Sequence, residues 1–257
     1  MRKSLTFLFA APLLWACSTE SVSVGLGAQV SAPATSTAGR FAAQQVGAQV
    51  AVGNGIEVQR VRLVVRKLEL EGPAALGGFS GSSSDGGTDD DSSGRDGEFE
   101  TGPFLIDLSG AGLEGQLVAL PQVQVPAGSY EEIEYKIGVP SASQVNGDSA
   151  LLDMAQRQAS VLIEGKIDGE PFSFVSGISV EQEREVRFEV GGAGNESITI
   201  SLDPTRWFLG EGGTRLDPRQ AENRSRIENN LQRSIDAFDD CDHDGREDHD
   251  NDGSDDD

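Results

Sequence analysis

Cysteine, histidine, tryptophan and tyrosine are all nearly missing from this chain, which has two of each in 257 residues. Two cysteines cannot frame a disulfide-stapled miniprotein. Both histidines, His243 and His249, stand near the C-terminus. The rest of the chain therefore has no imidazole to serve a Ser-His-Asp or Cys-His hydrolase. Basic residues are scarce, with 20 Lys+Arg against 43 Asp+Glu and a formal charge of −23. No basic stripe interrupts this acidity, so no nucleic-acid partner is expected. No apolar run reaches the roughly 20 residues that span a hydrocarbon core. No Walker-type loop occurs; Gly191-Gly192-Ala193-Gly194 falls between two strand patterns and reads as a turn. Collagen-like and coiled-coil periodicities are also absent. What is present, 37% hydrophobic residues and 32 glycines, fits a globular domain carrying biased insertions. Roughly 200 residues outside those insertions suffice for one hydrophobic core.

The N-terminus reads as an address. Arg2 and Lys3 precede an apolar run from Leu5 to Trp15, followed by Ala16 and Cys17. A charged start, a short apolar core and a small residue before a cleavage point make a signal peptide. Leu14-Trp15-Ala16-Cys17 resembles the lipobox of bacterial lipoproteins, with Trp15 bulkier than the residue usual there. That resemblance implies a diacylglycerol on the Cys17 thiol, cleavage before it, and an acylated new amine. An ordinary secretory cleavage site is the competing reading. Each buried methylene contributes about 0.8 kcal/mol, so two or three acyl chains hold a protein on a bilayer without any further device. In such lipoproteins an aspartate after the cysteine often signals inner-membrane retention. Ser18 stands there instead, and the resemblance implies the outer membrane.

From Ser18 to Arg40 the residues are small and polar, which suits a flexible tether or a first edge strand. Beyond them the period is two. Ile133, Tyr135, Ile137 and Val139 alternate with Glu132, Glu134, Lys136 and Gly138; Val186, Phe188 and Val190 alternate with Arg187 and Glu189. Ile198, Ile200 and Leu202 alternate with Thr199 and Ser201, and Val61, Leu63 and Val65 with Arg62, Val64 and Arg66. This is the pattern of half-buried antiparallel strands. Further strands are expected in Gln44 to Val52, Phe99 to Leu108, Gln116 to Val125, Ser160 to Ile167 and Pro171 to Ile178. Asp168-Gly169 is a type I′ hairpin signal, and Pro126-Ala127-Gly128 reverses the chain. Gly77 to Gly97, rich in Ser, Gly and Asp, is expected to be disordered, and loop-closure entropy makes such an insertion cheap. Asp203-Pro204 predicts a short capped helix through Phe208, with Trp207 and Phe208 as core anchors. Asp217-Pro218 repeats the device before a longer segment. There Ile227, Leu231, Ile235 and Phe238 fall on one face of an amphipathic helix.

The fold class expected is mainly β: an antiparallel β-sandwich with a C-terminal amphipathic helix, a disordered Gly/Ser/Asp insertion and a disordered acidic tail. The organisation is a signal peptide at 1–16, a lipidated tether at 17–40, a sandwich domain at 41–203 interrupted at 77–97, a helical segment at 204–239 and a tail at 240–257. Pro103-Phe104-Leu105-Ile106-Asp107-Leu108, Leu120-Pro121 and Val125 to Ile133 resemble an uncharacterised domain of many bacterial lipoproteins. Those domains look like transthyretin- or immunoglobulin-type sandwiches. The resemblance covers roughly Ile56 to Leu202 and implies architecture, with no catalytic residue to carry over.

The tail has metal-ligand spacing. Asp240, Asp242 and Asp244 precede Gly245, and Asp248 takes the ninth place of the loop, as where alternate oxygens converge on calcium. Asp248, Asp250 and Asp252 with Gly253 and Asp256 begin an overlapping copy. The pair resembles thrombospondin type-3 repeats. Asn251 stands where a bidentate glutamate would close the first loop, so calcium affinity should be that of extracellular modules, roughly 10⁻⁴–10⁻³ M. A plain acidic tail is the competing reading. A zinc or copper site on Cys241, His243 and His249 would have only three good ligands. With Cys17 lipidated, Cys241 has no intramolecular partner.

The expected function is that of a non-catalytic, lipid-anchored envelope protein, a binding or adhesion module for a protein or polysaccharide, with calcium in its tail. A carboxylate-based glycan hydrolase and a structural spacer are the alternatives.

Overall fold

The computed structural model describes residues 21–31, 50–72, 98–145, 147–191 and 197–240. The signal peptide, Cys17, residues 44–49 of the Gln44–Val52 candidate, the insertion at 77–97, Gly192-Ala193-Gly194 and tail residues 241–257 lie outside them. Among the described residues are twelve strands and two α-helices. The strands are β1 (Ser21–Val30), β2 (Val50–Gly53), β3 (Ile56–Glu71), β4 (Glu98–Thr101), β5 (Phe104–Ser109), β6 (Val118–Pro126), β7 (Gly128–Ile137), β8 (Val161–Ile167), β9 (Glu170–Ser176), β10 (Val180–Val190), β11 (Ser197–Leu202) and β12 (Ile235–Asp239). The helices are α1 (Ser149–Gln156) and α2 (Arg224–Gln232).

The 16-residue β3 organises the larger sheet. Its apolar residues share a face only if the alternation slips twice: Ile56 and Val58, then Val61, Leu63 and Val65, then Leu68 and Leu70, all buried. The pairing register shifts at those two places, between Val58 and Arg60 against β8 and between Val65 and Lys67 against β7. An extra residue at a β-bulge rephases the side chains that follow, which keeps the apolar set on the core side. One edge of β3 pairs with β8 and then β7; the other pairs with β2, β5 and β4. β9 extends the sheet beyond β8 and β10 beyond β7, all antiparallel.

The smaller sheet has the order β12-β11-β1-β6. Its members pair antiparallel except β1 with β11, which run parallel. Residues of both sheets belong to a single apolar core, joined by Trp207, Phe208, Leu216, Ile227 and Leu231. The protein is thus mainly β, two sheets mostly antiparallel, with a short helix near the end of the described chain. Among the described residues no helix is long and apolar enough to cross a membrane.

Several expectations are met. Asp168 and Gly169 turn the β8–β9 hairpin with φ of 52° and 85°, the positive pair a type I′ turn requires. Asp203 accepts a hydrogen bond from the Thr205 N–H at 2.9 Å and caps a 3₁₀ turn at Pro204–Arg206. Trp207 and Phe208 are buried in the core.

Other expectations are corrected. Pro126-Ala127-Gly128 makes no hairpin: a bend at Ala127 carries the chain from β6 in one sheet to β7 in the other. Ser21–Val30 is neither tether nor edge but an interior strand between β11 and β6. Side chains close over it at Gly27, where an added Cβ would stand 2.7 Å from the Leu117 side chain. Ser197–Leu202 is not half-buried and antiparallel on both sides. All six of its residues are buried, and it runs parallel to β1. The helix expected to hold Ile227, Leu231, Ile235 and Phe238 stops at Gln232, so 204–239 is not one helical segment. Ile235 and Phe238 belong to β12, where pairing with β11 satisfies the backbone and sends Ile235 and Phe238 to opposite faces. Asp217 caps no helix: it accepts from the Arg219 N–H, and α2 starts later, at Arg224. The Phe99–Leu108 strand is divided in two at Gly102-Pro103.

α1 has no counterpart in the strand pattern. Asp148 accepts from the N–H groups of Ala150 and Leu151 at its start. Leu151, Met154 and Ala155 then cover Val64 and Leu162, forming a second small apolar cluster. This explains why Val64, in phase with polar Arg62, is apolar.

The sheets are tied along the side where β7 and β10 meet β12. The Tyr135 hydroxyl donates to the Ile235 carbonyl at 2.7 Å and touches the Gln182 side chain. The Gln182 amide donates to the Gln232 carbonyl at 3.1 Å, and Arg184 pairs with Asp236 at 3.2 Å. Burial pushes the Tyr135 phenol above the ordinary tyrosine range. Tyr135→Phe keeps the ring and removes the tie, so stability should fall by about 1–2 kcal/mol. Urea denaturation checks this, and a loss below about 0.3 kcal/mol would mean the hydroxyl bears no load.

Candidate functional site

Of the residues expected to carry function, Cys17, Asp242, Asp244, Asp248, Asp250, Asp252 and Asp256 lie outside the described residues, as do Cys241, His243 and His249. Asp240 alone is described. It is 0% exposed, its N–H donates to the Ser197 carbonyl at 2.9 Å, and its carboxylate accepts from the Thr199 hydroxyl at 2.9 Å. The first residue of the acidic tail is therefore part of the folded domain, held against the start of β11.

Two other features concentrate polar chemistry. On the face of the larger sheet turned away from the core, strand register aligns glutamates into rows. Glu98, Glu71, Glu132 and Glu185 form one row across β4, β3, β7 and β10, and Glu100, Glu69, Glu134 and Glu183 form the next. Like charges directly opposite one another in a sheet are destabilising. Lysines offset part of this: Lys136 lies 2.8 Å from Glu134 and 3.0 Å from Glu181, while Lys67 contacts Glu69 and lies 3.7 Å from Glu100. Hydrogen bonds donated to Glu134 and Glu181 hold the Lys136 ammonium well above its ordinary range.

Below about pH 7 a proton on Glu98 offsets another part. One oxygen each of Glu69, Glu98 and Glu100 lies within 4.8 Å of the others, and Glu69 is only 3% exposed. A hydrogen bond to Glu69, reinforced by burial, pushes the exposed Glu98 up to about 7. Burial opposes ionisation of Glu69, but hydrogen bonds with Glu98 and Lys67 hold it below the ordinary carboxylate range. Below about pH 7 Glu98 therefore holds a proton beside ionised Glu69. These three are the described residues that could hold a hard cation. Lys67 already compensates Glu69 and Glu100 in part.

The sign of the pH effect follows. Glu98 in the unfolded chain titrates near 4.5 and in the folded protein near 7, so between those values folding takes up a proton. This group's contribution to stability therefore falls as pH rises from about 4.5 to about 7. In Glu69→Gln the proton on Glu98 has no carboxylate to bridge to, and Glu98 should titrate back near the ordinary carboxylate range. A carbon-detected NMR titration reads this directly; a Glu98 midpoint still near 7 would show that Glu69 is not the cause.

The second feature is a cavity of about 460 Å³ on the outer side of the smaller sheet. Its floor is built from Ser31, Ser201, Asp236 and Phe238, at the end of β1 and on β11 and β12. Arg206 from the 3₁₀ turn, with Asn230 and Arg233 from the end of α2, also lines it. The framework is held by internal bonds. The Trp207 indole N–H donates to the Ser234 hydroxyl at 2.6 Å, and Asn230 donates to the carbonyls of Arg206 and Leu209 at 2.9 Å. The hydroxyls of Ser31 and Ser201 touch each other. Both carboxylates in the cavity are engaged, Asp203 by Thr205 and Asp236 by Arg184. The guanidinium groups of Arg206 and Arg233 pair with no carboxylate among the described residues.

The sequence offered no signal for this cavity. Arg206 and Arg233 are distant in the chain, and Phe238 reads as a helix-face residue until β12 turns it outward. The chain matches no protein-family model, no curated protein and no solved structure, so what the cavity and the acidic face can do is read from their own residues.

Proposed function

We propose that this protein is a non-catalytic, lipid-anchored envelope protein, held on the outer membrane through acylated Cys17, whose transthyretin- or immunoglobulin-like domain presents a ligand-binding cavity. The observation that carries this reading is the position of the cavity along β1. The strand begins at Ser21, four residues after Cys17, and the cavity rim includes Ser31, beyond its other end. Ten residues of extended chain cover ~33 Å. A cysteine-linked bilayer would thus lie on one side of the domain, with the cavity facing away from it. The same geometry puts the start of the acidic tail on the membrane side, because Asp240 bonds to Ser197, which pairs with Gly25 in the first half of β1. Calcium bound weakly by the tail would act there, between domain and headgroups. Both carboxylates in the cavity are already committed to Thr205 and Arg184, which supports binding over hydrolysis.

Mass spectrometry of the mature protein purified from its own membranes tests the anchor. The expected N-terminal peptide begins at Cys17 and carries a diacylglyceryl mass; an unmodified N-terminus, or one beginning elsewhere, overturns the assignment. Calorimetric titration of the full mature chain tests calcium. Heat should saturate in the millimolar range. No heat at several millimolar removes calcium from the reading.

A further inference from the structure

We propose that the cavity is an oxyanion site and that its ligand is an acidic sugar residue bearing a single carboxylate, a uronate in a polysaccharide. The inference rests on reading the domain as a binding module, and it names the ligand class. It begins from the charge balance. In a chain of formal charge −23, two cations that meet no carboxylate yet converge on one cavity mark it as a place for an anion. Arg60, Arg62, Arg157, Arg184, Arg215, Arg219 and Arg224 each pair with one. Among the described residues Arg66, Lys166, Arg187, Arg206, Arg226 and Arg233 pair with none, and of these Arg206 and Arg233 are the two that line the cavity, together with Asp203 and Asp236. The two aspartates are held by other donors, so the two exposed arginines line the cavity without a carboxylate partner among the described residues. A guanidinium presents a planar fork of donors that matches a carboxylate or phosphate in a bidentate way.

The rest of the lining decides between those anions. A phosphate of charge near −2 entering here would face the fixed charges of Asp203 and Asp236 as well as the arginines. A single carboxylate meets less repulsion, and the hydroxyls of a sugar turn the aspartates to advantage, because a carboxylate has spare lone pairs to accept them. Ser31 and Ser201 add two hydroxyls to the floor. Phe238, 8% exposed, adds an apolar surface for the C–H face of a pyranose. A volume of about 460 Å³ lies within the range of small-molecule sites. A cavity with two free arginines, acceptor aspartates, hydroxyls and one aromatic face is matched by a ligand that is at once monoanionic, polyhydroxylated and flat on one side.

The test is isothermal titration of the full mature chain with tetragalacturonate, with tetragalactose as the neutral counterpart and with inorganic phosphate. Saturable binding of tetragalacturonate is expected, at least tenfold tighter than either control. Arg206→Ala and Arg233→Ala should each weaken it about tenfold or more, since each removes a charge-assisted contact. Both side chains are exposed, so the melting temperature should stay unchanged, which separates lost binding from lost folding. Equal binding of tetragalactose, unaffected by either substitution, overturns the acidic ligand and leaves a sugar-binding module standing. Phosphate binding as tightly as tetragalacturonate overturns the uronate in favour of a bare oxyanion. No saturable binding of tetragalacturonate overturns the inference, while the anchored-protein reading is decided separately by the mass of the mature N-terminus. Shortening of tetragalacturonate during the titration overturns the non-catalytic assignment.

Discussion

Trp207→Ala should lower folding stability by about 3–5 kcal/mol, the range seen when a large aromatic is deleted from a packed core. Trp207 is 0% exposed and joins the core shared by the two sheets. Its indole N–H donates to Ser234, whose hydroxyl in turn donates to the Leu231 carbonyl at 2.8 Å. The Trp207 carbonyl accepts from Asn230 at 3.2 Å. The residue thus fills volume and also fastens the 3₁₀ turn bearing Arg206 to the α2–β12 connection bearing Arg233. Its neighbour Phe208 packs edge-to-face on Phe172 of β9, with ring centres 5.6 Å apart. Guanidinium denaturation would measure the loss. Trp207→Phe should cost less than the alanine variant, because most of the volume remains. If Trp207→Ala costs under 1 kcal/mol, the cavity walls are not fastened in this way.

Gly165→Ala should cost about 3 kcal/mol, the upper end of ordinary overpacking. Gly165 lies on β8 opposite Val58, beside the first bulge of β3, and a Cβ there would stand 2.1 Å from the Glu57 carbonyl oxygen and 3.0 Å from the Phe172 ring. The carbonyl is backbone in the strand on which the larger sheet is organised, so it cannot swing aside as a side chain could. The chain must break the β3–β8 pairing or shift it. Gly169→Ala is the informative control. Gly169 has a φ of 85° but nothing within 4 Å of an added Cβ, so only backbone strain of about 1–2 kcal/mol applies. Equal losses in the two variants, read from their melting curves, would show that close approach at Gly165 is not the cause.

Much of the fold can be read along the chain, because each strand states its own alternation. β7, β8, β9 and β10 fall where the period of two places them, and Asp168-Gly169 turns where its chemistry allows positive φ. The three apolar sets of β3 even show where the alternation slips. Ser21–Val30 was harder to read because its Gly and Ala residues carry no strand signature; at Gly27 the side chains of Leu117 and Thr199 occupy the space a Cβ would need. Ile235 and Phe238 kept the helical spacing of Ile227 and Leu231 until an available edge on β11 gave the backbone a better set of partners. The lipidation and calcium readings, by contrast, rest entirely on local motifs, whose spacing is complete within a few residues and which lie almost wholly outside the described residues.

What the amino-acid sequence determined by itself is therefore local: which residues face the same way within an element, where turns form, and where a thiol or a run of aspartates is offered to chemistry. That Glu132 and Glu134 point outward was legible. That they align with Glu71, Glu98 and Glu185, and with Glu69, Glu100 and Glu183, was decided by register between strands distant in sequence. The cavity is the same case, since Ser31, Arg206 and Arg233 converge only because β1, β11 and β12 share a sheet. Side-chain direction follows from the geometry of a single strand or helix, whereas adjacency between elements depends on which edges pair and which faces bury each other.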